Sequence, residues 1–323
     1  MQPDLTFRPA WWARTGLLQT ILGQRHSSAQ PTWRTEIWST TDDDELRLHF
    51  VDVEAPSSPV VLLLHGLEGS RDSAYVAESA AQASDRGFRF CALEFRSCGG
   101  VINRARRTYH SGETTDTELV INRLKERFPD APSYLIGFSL GGNVTLKWLA
   151  ERGASAPVTA AAAISPPFDL AVCGHQCDTI YGGVIARRFL ATLIPKAIEK
   201  ERQYPGQYDL DAVRRCRTFR AFDDLVTAPT HGFKDADHYY RTQSSGPLLM
   251  AIQRPTMIIA SSDDPLCSRA AIPYKAINDS PFIRGQLCER GGHVAFINGG
   301  APWRPRRWAE AKAMQFFASI QAR

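Results

Sequence analysis

The sequence predicts an α/β fold, a mostly parallel central sheet flanked by helices, with a helical insertion late in the chain. Three observations carry this. Short continuous apolar runs such as Val60-Val61-Leu62-Leu63-Leu64 mark strands buried on both faces. They alternate with stretches of helical period, the pattern of a parallel sheet with helices on both sides. The alternation breaks after Leu170 and resumes near Thr256.

Taken in order, residues 7–23 carry Trp11, Trp12, Leu17, Leu18, Ile21 and Leu22 at near-helical spacing. The preferred reading is a helix packed on the domain; the sharper one is a peripheral membrane contact through this segment. Residues 33–52 alternate as two antiparallel strands around a turn near Thr41-Asp42-Asp43-Asp44. The buried strand 60–64 follows. Then come a helix over 74–86 ended by Gly87, a strand over 88–95, and a helix over 114–128 that stops before Pro129. Residues 133–136 read as a strand, 140–151 as a helix and 158–164 as a strand. Beyond the insertion come a strand at 256–260, a helix at 268–278, a strand at 282–288 and a closing helix at 305–321. The expected division is an N-terminal segment (1–30), a core (31–170 and 246–323) and a helical cap (171–245).

The 323 residues, 43% hydrophobic and 22% charged, are ordinary for a globular protein that buries its own core. The net charge of +4 is mild and spread, without the dense basic stripe of a nucleic-acid binder. No run reaches the roughly 18 apolar residues of a spanning helix. Seven cysteines, an odd count, and a start that lacks a basic then apolar leader fit a reducing, cytoplasmic setting. Cys173-Gly174-His175-Gln176-Cys177 has no second ligand pair at metal-binding spacing, so these read as plain thiols and no metal is expected.

The chemistry centres on Ser139 in Gly137-Phe138-Ser139-Leu140-Gly141, a G-x-S-x-G stretch between a strand and a helix. The glycines remove side chains that would clash at a sharp turn, so the hydroxyl stands clear above the sheet. A serine needs a base. In this motif's setting the order is serine, acid, histidine. His293, in Gly291-Gly292-His293 between the last strand and last helix, fits best; His175, His231 and His238 are the others in order. The acid is Asp264 or Asp263, both after the strand 256–260, with Asp264 preferred and Asp263 expected to cap the next helix. Leu67 and Leu140 are expected to supply the two oxyanion-hole amides. His65 precedes the serine and reads as a structural loop residue. No organic cofactor is required, and the expected partner is a small ester.

Many stretches together resemble the YheT-like branch of the abhydrolase family. They include Phe7-Arg8-Pro9 with Leu18-Gln19-Thr20; His65-Gly66-Leu67-Glu68-Gly69-Ser70; Tyr109-His110-Ser111-Gly112; Ser165-Pro166-Pro167-Phe168-Asp169-Leu170; Phe222-Asp223-Asp224; and Asp237-His238-Tyr239-Tyr240. The resemblance implies an α/β-hydrolase fold with a lid, carboxylic-ester hydrolysis of medium-chain or lipid-like substrates, and a triad of Ser139, Asp264 and His293. Leu17, Glu94 and Ser97 depart from the pattern, and Glu94 is expected near the pocket floor. The same acyl-enzyme attacked by an alcohol would make an ester synthase. His110 and Asp116 do not have the spacing of an H-x-x-x-x-D acyltransferase motif. A non-catalytic binding scaffold is the third reading, opposed by an intact serine, acid and histidine. In the insertion, Val184, Ile185, Phe189, Leu190 and Leu193 suit either an acyl tunnel or the cap's own packing.

Overall fold

The computed structural model describes residues 7–24, 27 and 29–322. Two polar-edged strands, β1 (Arg34–Ser39) and β2 (Glu45–Val51), form a hairpin. The wholly buried β3 (Val60–Leu64) then enters the middle of the sheet. Helix α2 (Ala74–Ser84), β4 (Arg89–Glu94), α3 (Thr115–Arg127), β5 (Ser133–Phe138), α4 (Leu140–Arg152) and β6 (Ala160–Ile164) continue the alternation. With β7 (Thr256–Ser261) and β8 (Ile283–Cys288), the main sheet among the described residues has eight strands in the order β1-β2-β4-β3-β5-β6-β7-β8. β2 runs antiparallel to β4, and every pairing from β4 to β8 is parallel.

Burial on both faces explains the unbroken apolar runs. Leu62 and Leu64 face α3 and α4 with Leu135, Val144 and Trp148, while Val61 and Leu63 face the other side with Val76, Ala80 and Phe317. The chain passes from β3 to β4 on one side and then crosses back over β3 to β5 on the other. The crevice between the ends of β3 and β5 is therefore the topological switch point where ligands bind in open α/β sheets.

Between β6 and β7 (Thr256–Ser261) the chain forms α5 (Leu170–Thr179), α6 (Val184–Gln203) and α7 (Leu210–Arg215). Three shorter helices follow: α8 (Phe219–Phe222), α9 (Ala228–His231) and α10 (Ala236–Gln243). A π-helical turn, Asp223–Thr227, joins α8 to α9. This insertion has a small core of its own around Leu190, Ala197, Val213 and Phe222.

Three elements differ from the sequence expectation. The N-terminal helix α1 occupies only Gly16–Gly23; residues 7–15 form a loop with one turn, the Ala13 amide donating to the Ala10 carbonyl at 2.9 Å, and Phe7 lies beside Phe296 and Trp308. The helix expected at 268–278 is a single turn at Arg269–Ala271 followed by α11 (Tyr274–Asp279); Pro273 separates them. After β8 (Ile283–Cys288) a hairpin intervenes, β9 (Ile297–Ala301) with β10 (Arg304–Arg307), so the closing helix α12 starts at Trp308. Trp303, 82% exposed at the hairpin turn, and Pro305 obscure its strand pattern.

One buried ion cluster pins the loop after β4. The Arg96 guanidinium, without side-chain exposure, donates to Asp116 at 2.7 Å, Asp44 at 2.7 Å and Asp42 at 3.0 Å. It joins the turn of the β1–β2 hairpin to the start of α3 and so holds the intervening Tyr109-His110-Ser111 loop, which lines the main cavity. Replacing Arg96 by Met should lower stability by about 3–5 kcal/mol, because Asp44 and Asp116 would remain buried without that cation. Urea unfolding midpoints compared with the unaltered chain check this.

Candidate active site

Ser139 stands at the joint of β5 and α4 with φ 51° and ψ −120°, a region that non-glycine residues rarely occupy. The joint is tight. A Cβ on Gly137 would lie 2.2 Å from the Gly141 carbonyl oxygen, and one on Gly141 would lie 2.2 Å from that of Leu64. Only glycine permits this approach. It presses the start of α4 against the end of β3 and lifts the serine hydroxyl into the cavity beneath the insertion.

His293 reaches the hydroxyl. Its Nε2 lies 2.7 Å from Ser139 Oγ and its Nδ1 lies 2.9 Å from Asp264 Oδ2. The second Asp264 oxygen accepts the Leu266 and Cys267 amides at 2.8 and 3.0 Å, which fixes the carboxylate plane. Asp264 is the acid in contact with the histidine. Asp263 does not cap the next helix as expected. It takes the Ser261 hydroxyl at 2.7 Å, the Gly291 amide at 2.7 Å and the Gly16 amide at 3.0 Å, tying the histidine loop to α1.

The N-terminal segment supplies two residues to which the sequence reading gave no role. Thr20 Oγ1 accepts the His293 amide at 2.8 Å. The buried Gln19 side chain donates to the Ala13 and Ile297 carbonyls at 2.6 and 3.0 Å and accepts the Ile297 amide at 2.6 Å. Gly16 and Gly292 allow the close fit: a Cβ on Gly16 would lie 1.9 Å from the Asp263 carbonyl, and one on Gly292 2.5 Å from the Thr20 amide. A polar pair inside an otherwise apolar helix was the available signal.

Leu67 and Leu140 both border the cavity beside Ser139. Among the described residues neither amide has a hydrogen-bond acceptor, whereas the neighbouring Gly66, Glu68 and Gly141 amides are all paired. Two residues beside the serine thus line the cavity with backbone amides that have no acceptor among the described residues. His65 stays out of the chemistry. Its Nδ1 bonds the Gly66 carbonyl, its Nε2 accepts the Phe95 amide, and burial lowers its pKa to about 4. Burial also lowers the pKa of His231 to about 4 and keeps His110, which lines the cavity, well below its usual value, so both are neutral at pH 7. His175 is exposed, and His238 Nδ1 accepts the Lys234 amide.

The cavity runs from Ser139 into the insertion. Phe189, Leu193, Phe219, Phe222, Val226 and Leu266 give it an apolar wall; Lys196, Lys200, Tyr208 and Asp223 interrupt that wall. Of the helix residues weighed for a tunnel, Phe189 and Leu193 line it, Leu190 packs the insertion's core, and Val184 is exposed. Asp223 is pushed up to about 6 by burial and accepts hydroxyls from Tyr240 and Thr227, each at 2.6 Å. Glu94 is not on this cavity's floor. It pairs with His49 at 3.4 Å in a separate hollow that also holds Arg47 and Arg71. Asp264, Cys267 and His293 carry ligand-type atoms within 4.8 Å of one another, but the first two of these groups to matter, the carboxylate and the imidazole, are already bonded to each other. Cys173 and Cys177 are buried against the same cavity.

Residues 59–300 match the alpha/beta hydrolase fold family. YheT of Escherichia coli strain K12 is 37% identical over 300 residues, covering 91% of this chain and 88% of that protein. Phospholipase ABHD3 of Homo sapiens is 28% identical, over 91% of this chain and 74% of its own length. Among solved structures, Pyrococcus furiosus esterase Pf2001 superposes with a TM-score of 0.55 at 17% identity, covering 81% of this chain and 83% of that one, a likeness of fold.

The two aspartates have separable duties. Asp264→Asn should cut kcat on a p-nitrophenyl ester by about 10⁴-fold, since the amide would favour the wrong imidazole tautomer. Asp263→Asn should cost far less turnover and instead lower stability by about 1–3 kcal/mol through its buried partners. Steady-state kinetics and thermal unfolding of the two variants, side by side, measure both.

Proposed function

The chain belongs to the YheT-like branch of the α/β-hydrolase family, and from that membership we propose that it is a serine hydrolase of carboxylic esters. Ser139, His293 and Asp264 form its triad, and Leu67 and Leu140 its oxyanion hole. The observation that carries this reading is the continuous chain Ser139 Oγ–His293 Nε2, His293 Nδ1–Asp264, opening into a largely apolar cavity.

In the proposed reaction His293 Nε2 takes the Ser139 proton as Oγ attacks the ester carbonyl. The carbonyl oxygen gains negative charge and meets the Leu67 and Leu140 amides. Preorganised donors of this kind are worth about 10²–10³ in rate each. The new imidazolium, held by Asp264, gives its proton to the departing alcohol and leaves an acyl-serine. A water molecule, deprotonated by the same nitrogen, then attacks the acyl carbon and releases the acid. The apolar wall suits a medium-chain or lipid-like acyl group, and the phospholipase name of one relative points the same way. The two-part lining, apolar with a few buried polar groups, is that of a site which orients an amphipathic small molecule.

Ser139→Ala should abolish turnover of p-nitrophenyl esters with the thermal transition unchanged, and a fluorophosphonate should label Ser139 in the unaltered chain. Turnover retained by that variant, or label mapped to another residue, refutes the assignment. A series of acyl chains from C2 to C16 should show kcat/KM rising to medium length.

A further inference from the structure

The turn that carries Leu67 is held from both sides by tyrosine hydroxyls. Tyr75 Oη accepts the Gly66 amide at 2.8 Å, and Tyr109 Oη accepts the Glu68 amide at 2.9 Å. Gly69 closes the turn by donating to the Gly66 carbonyl at 3.0 Å. Among the described residues Leu67 is left as the member of this turn whose N–H has no acceptor. Glu68 sits at φ 57°, a left-handed conformation that a non-glycine residue adopts only when held there.

What holds it reaches into the insertion. Tyr109 Oη donates to Glu68 Oε1 at 2.8 Å, and Lys196 Nζ on α6 donates to the same oxygen at 2.6 Å. The Glu68 side chain is 10% exposed and that of Lys196 22%, so the pair is largely out of water. The Leu67 side chain packs, as do Phe189 and Leu193 of the same helix, against the cluster of Cys177, Ala186 and Phe219. Positions 189, 193 and 196 fall on one face of α6, at i, i+4 and i+7. The insertion therefore meets both Leu67 and the residue that follows it, through the cluster that includes Ala186 and through Lys196 on Glu68.

We infer that α6 sets the oxyanion hole through Lys196, Glu68 and Tyr109, with Lys196 and Tyr109 as positioning residues. This rests on the serine-hydrolase reading above. Seating of the insertion over substrate and completion of the oxyanion hole are then one event. The rival role for Lys196, as a direct anchor for an anionic part of the substrate, makes a different demand: it would matter only for substrates that carry such a group.

The test uses p-nitrophenyl acetate, which is neutral and has no long acyl chain, with the full-length chain and variants whose thermal transitions are checked. Lys196→Met and Tyr109→Phe should each lower kcat by about 10–100-fold while KM stays within about twofold, because a displaced donor weakens the transition state alone. Affinity for a phenylboronic acid, whose adduct places an oxygen in the hole, should fall in parallel. Glu68→Gln combined with Lys196→Met should be no worse than the more damaging single change, since both break one coupling. Lys196→Arg should recover part of the loss. Unaltered kcat on the acetate in Lys196→Met, or losses that multiply in the double variant, would overturn the coupling. Ser139→Ala runs alongside: activity there would sink the hydrolase reading itself, whereas an inactive Ser139→Ala with a fully active Lys196→Met sinks the coupling alone.

Discussion

The contact between the start of α4 and the end of β3 is the constraint on which the site depends. With no side chain at Gly141, the helix backbone comes within reach of the Leu64 and His65 carbonyls, and the Gly141 amide bonds the latter at 3.1 Å. A larger residue would push the helix away from the sheet. The Leu140 amide would then move away from the Leu67 turn, and the serine would lose the positive φ that raises its hydroxyl. Two chain segments separated by some seventy positions are thus set against each other by the absence of a methyl group. The geometry follows from parallel pairing. β3 and β5 are adjacent and run the same way, so their following turns emerge at the same edge.

The same edge receives the loops after β7 and β8, which brings Asp264 and His293 to the serine. A loop is a poor platform for a catalytic side chain unless something stiffens it. Here the stiffening is remote in sequence. Gln19 and Thr20 bond the backbone on both sides of His293, and Asp263 bonds the amides of Gly16 and Gly291. The N-terminal segment acts as a clamp on the histidine loop, and its glycine at position 16 is there because the Asp263 carbonyl occupies the space of a Cβ.

Local pattern made most of the sheet legible. Continuous apolar runs gave the buried strands, and Gly-x-Ser-x-Gly between a strand and a helix gave the elbow. The sequence order of serine, acid and histidine narrowed the partners to residues that do lie together. What pattern could not supply was long-range bonding. Both Asp263 and Asp264 reach the loop after β8, and which one meets the imidazole and which the Gly291 amide is a tertiary matter that two adjacent identical residues cannot reveal. Residues 7–15 have helical spacing yet form a loop with one turn, because a helix that short is marginal in water and Phe7 is instead packed on Phe296 and Trp308. The β9–β10 hairpin went unread because Gly299, Gly300, Trp303 and Pro305 carry none of the alternation that marks a strand.

The elbow and the Leu67 turn both carry costs that their surroundings sustain. Ser139 and Glu68 hold backbone conformations worth roughly 1–3 kcal/mol of strain each. Among the described residues the Leu67 and Leu140 amides lack acceptors, whereas those of Gly66, Glu68 and Gly141 are bonded. A structure that only packed well would relax these features, and Tyr75, Tyr109 and Lys196 oppose that relaxation. The expense falls where a transient negative oxygen would offset it, since two aimed donors in a largely apolar cavity stabilise such a charge far more than water-exposed ones do. A binding scaffold has no use for donors aimed at a charge that its ligand never develops. The distribution of strain, more than the presence of a serine, favours catalysis over binding at this site.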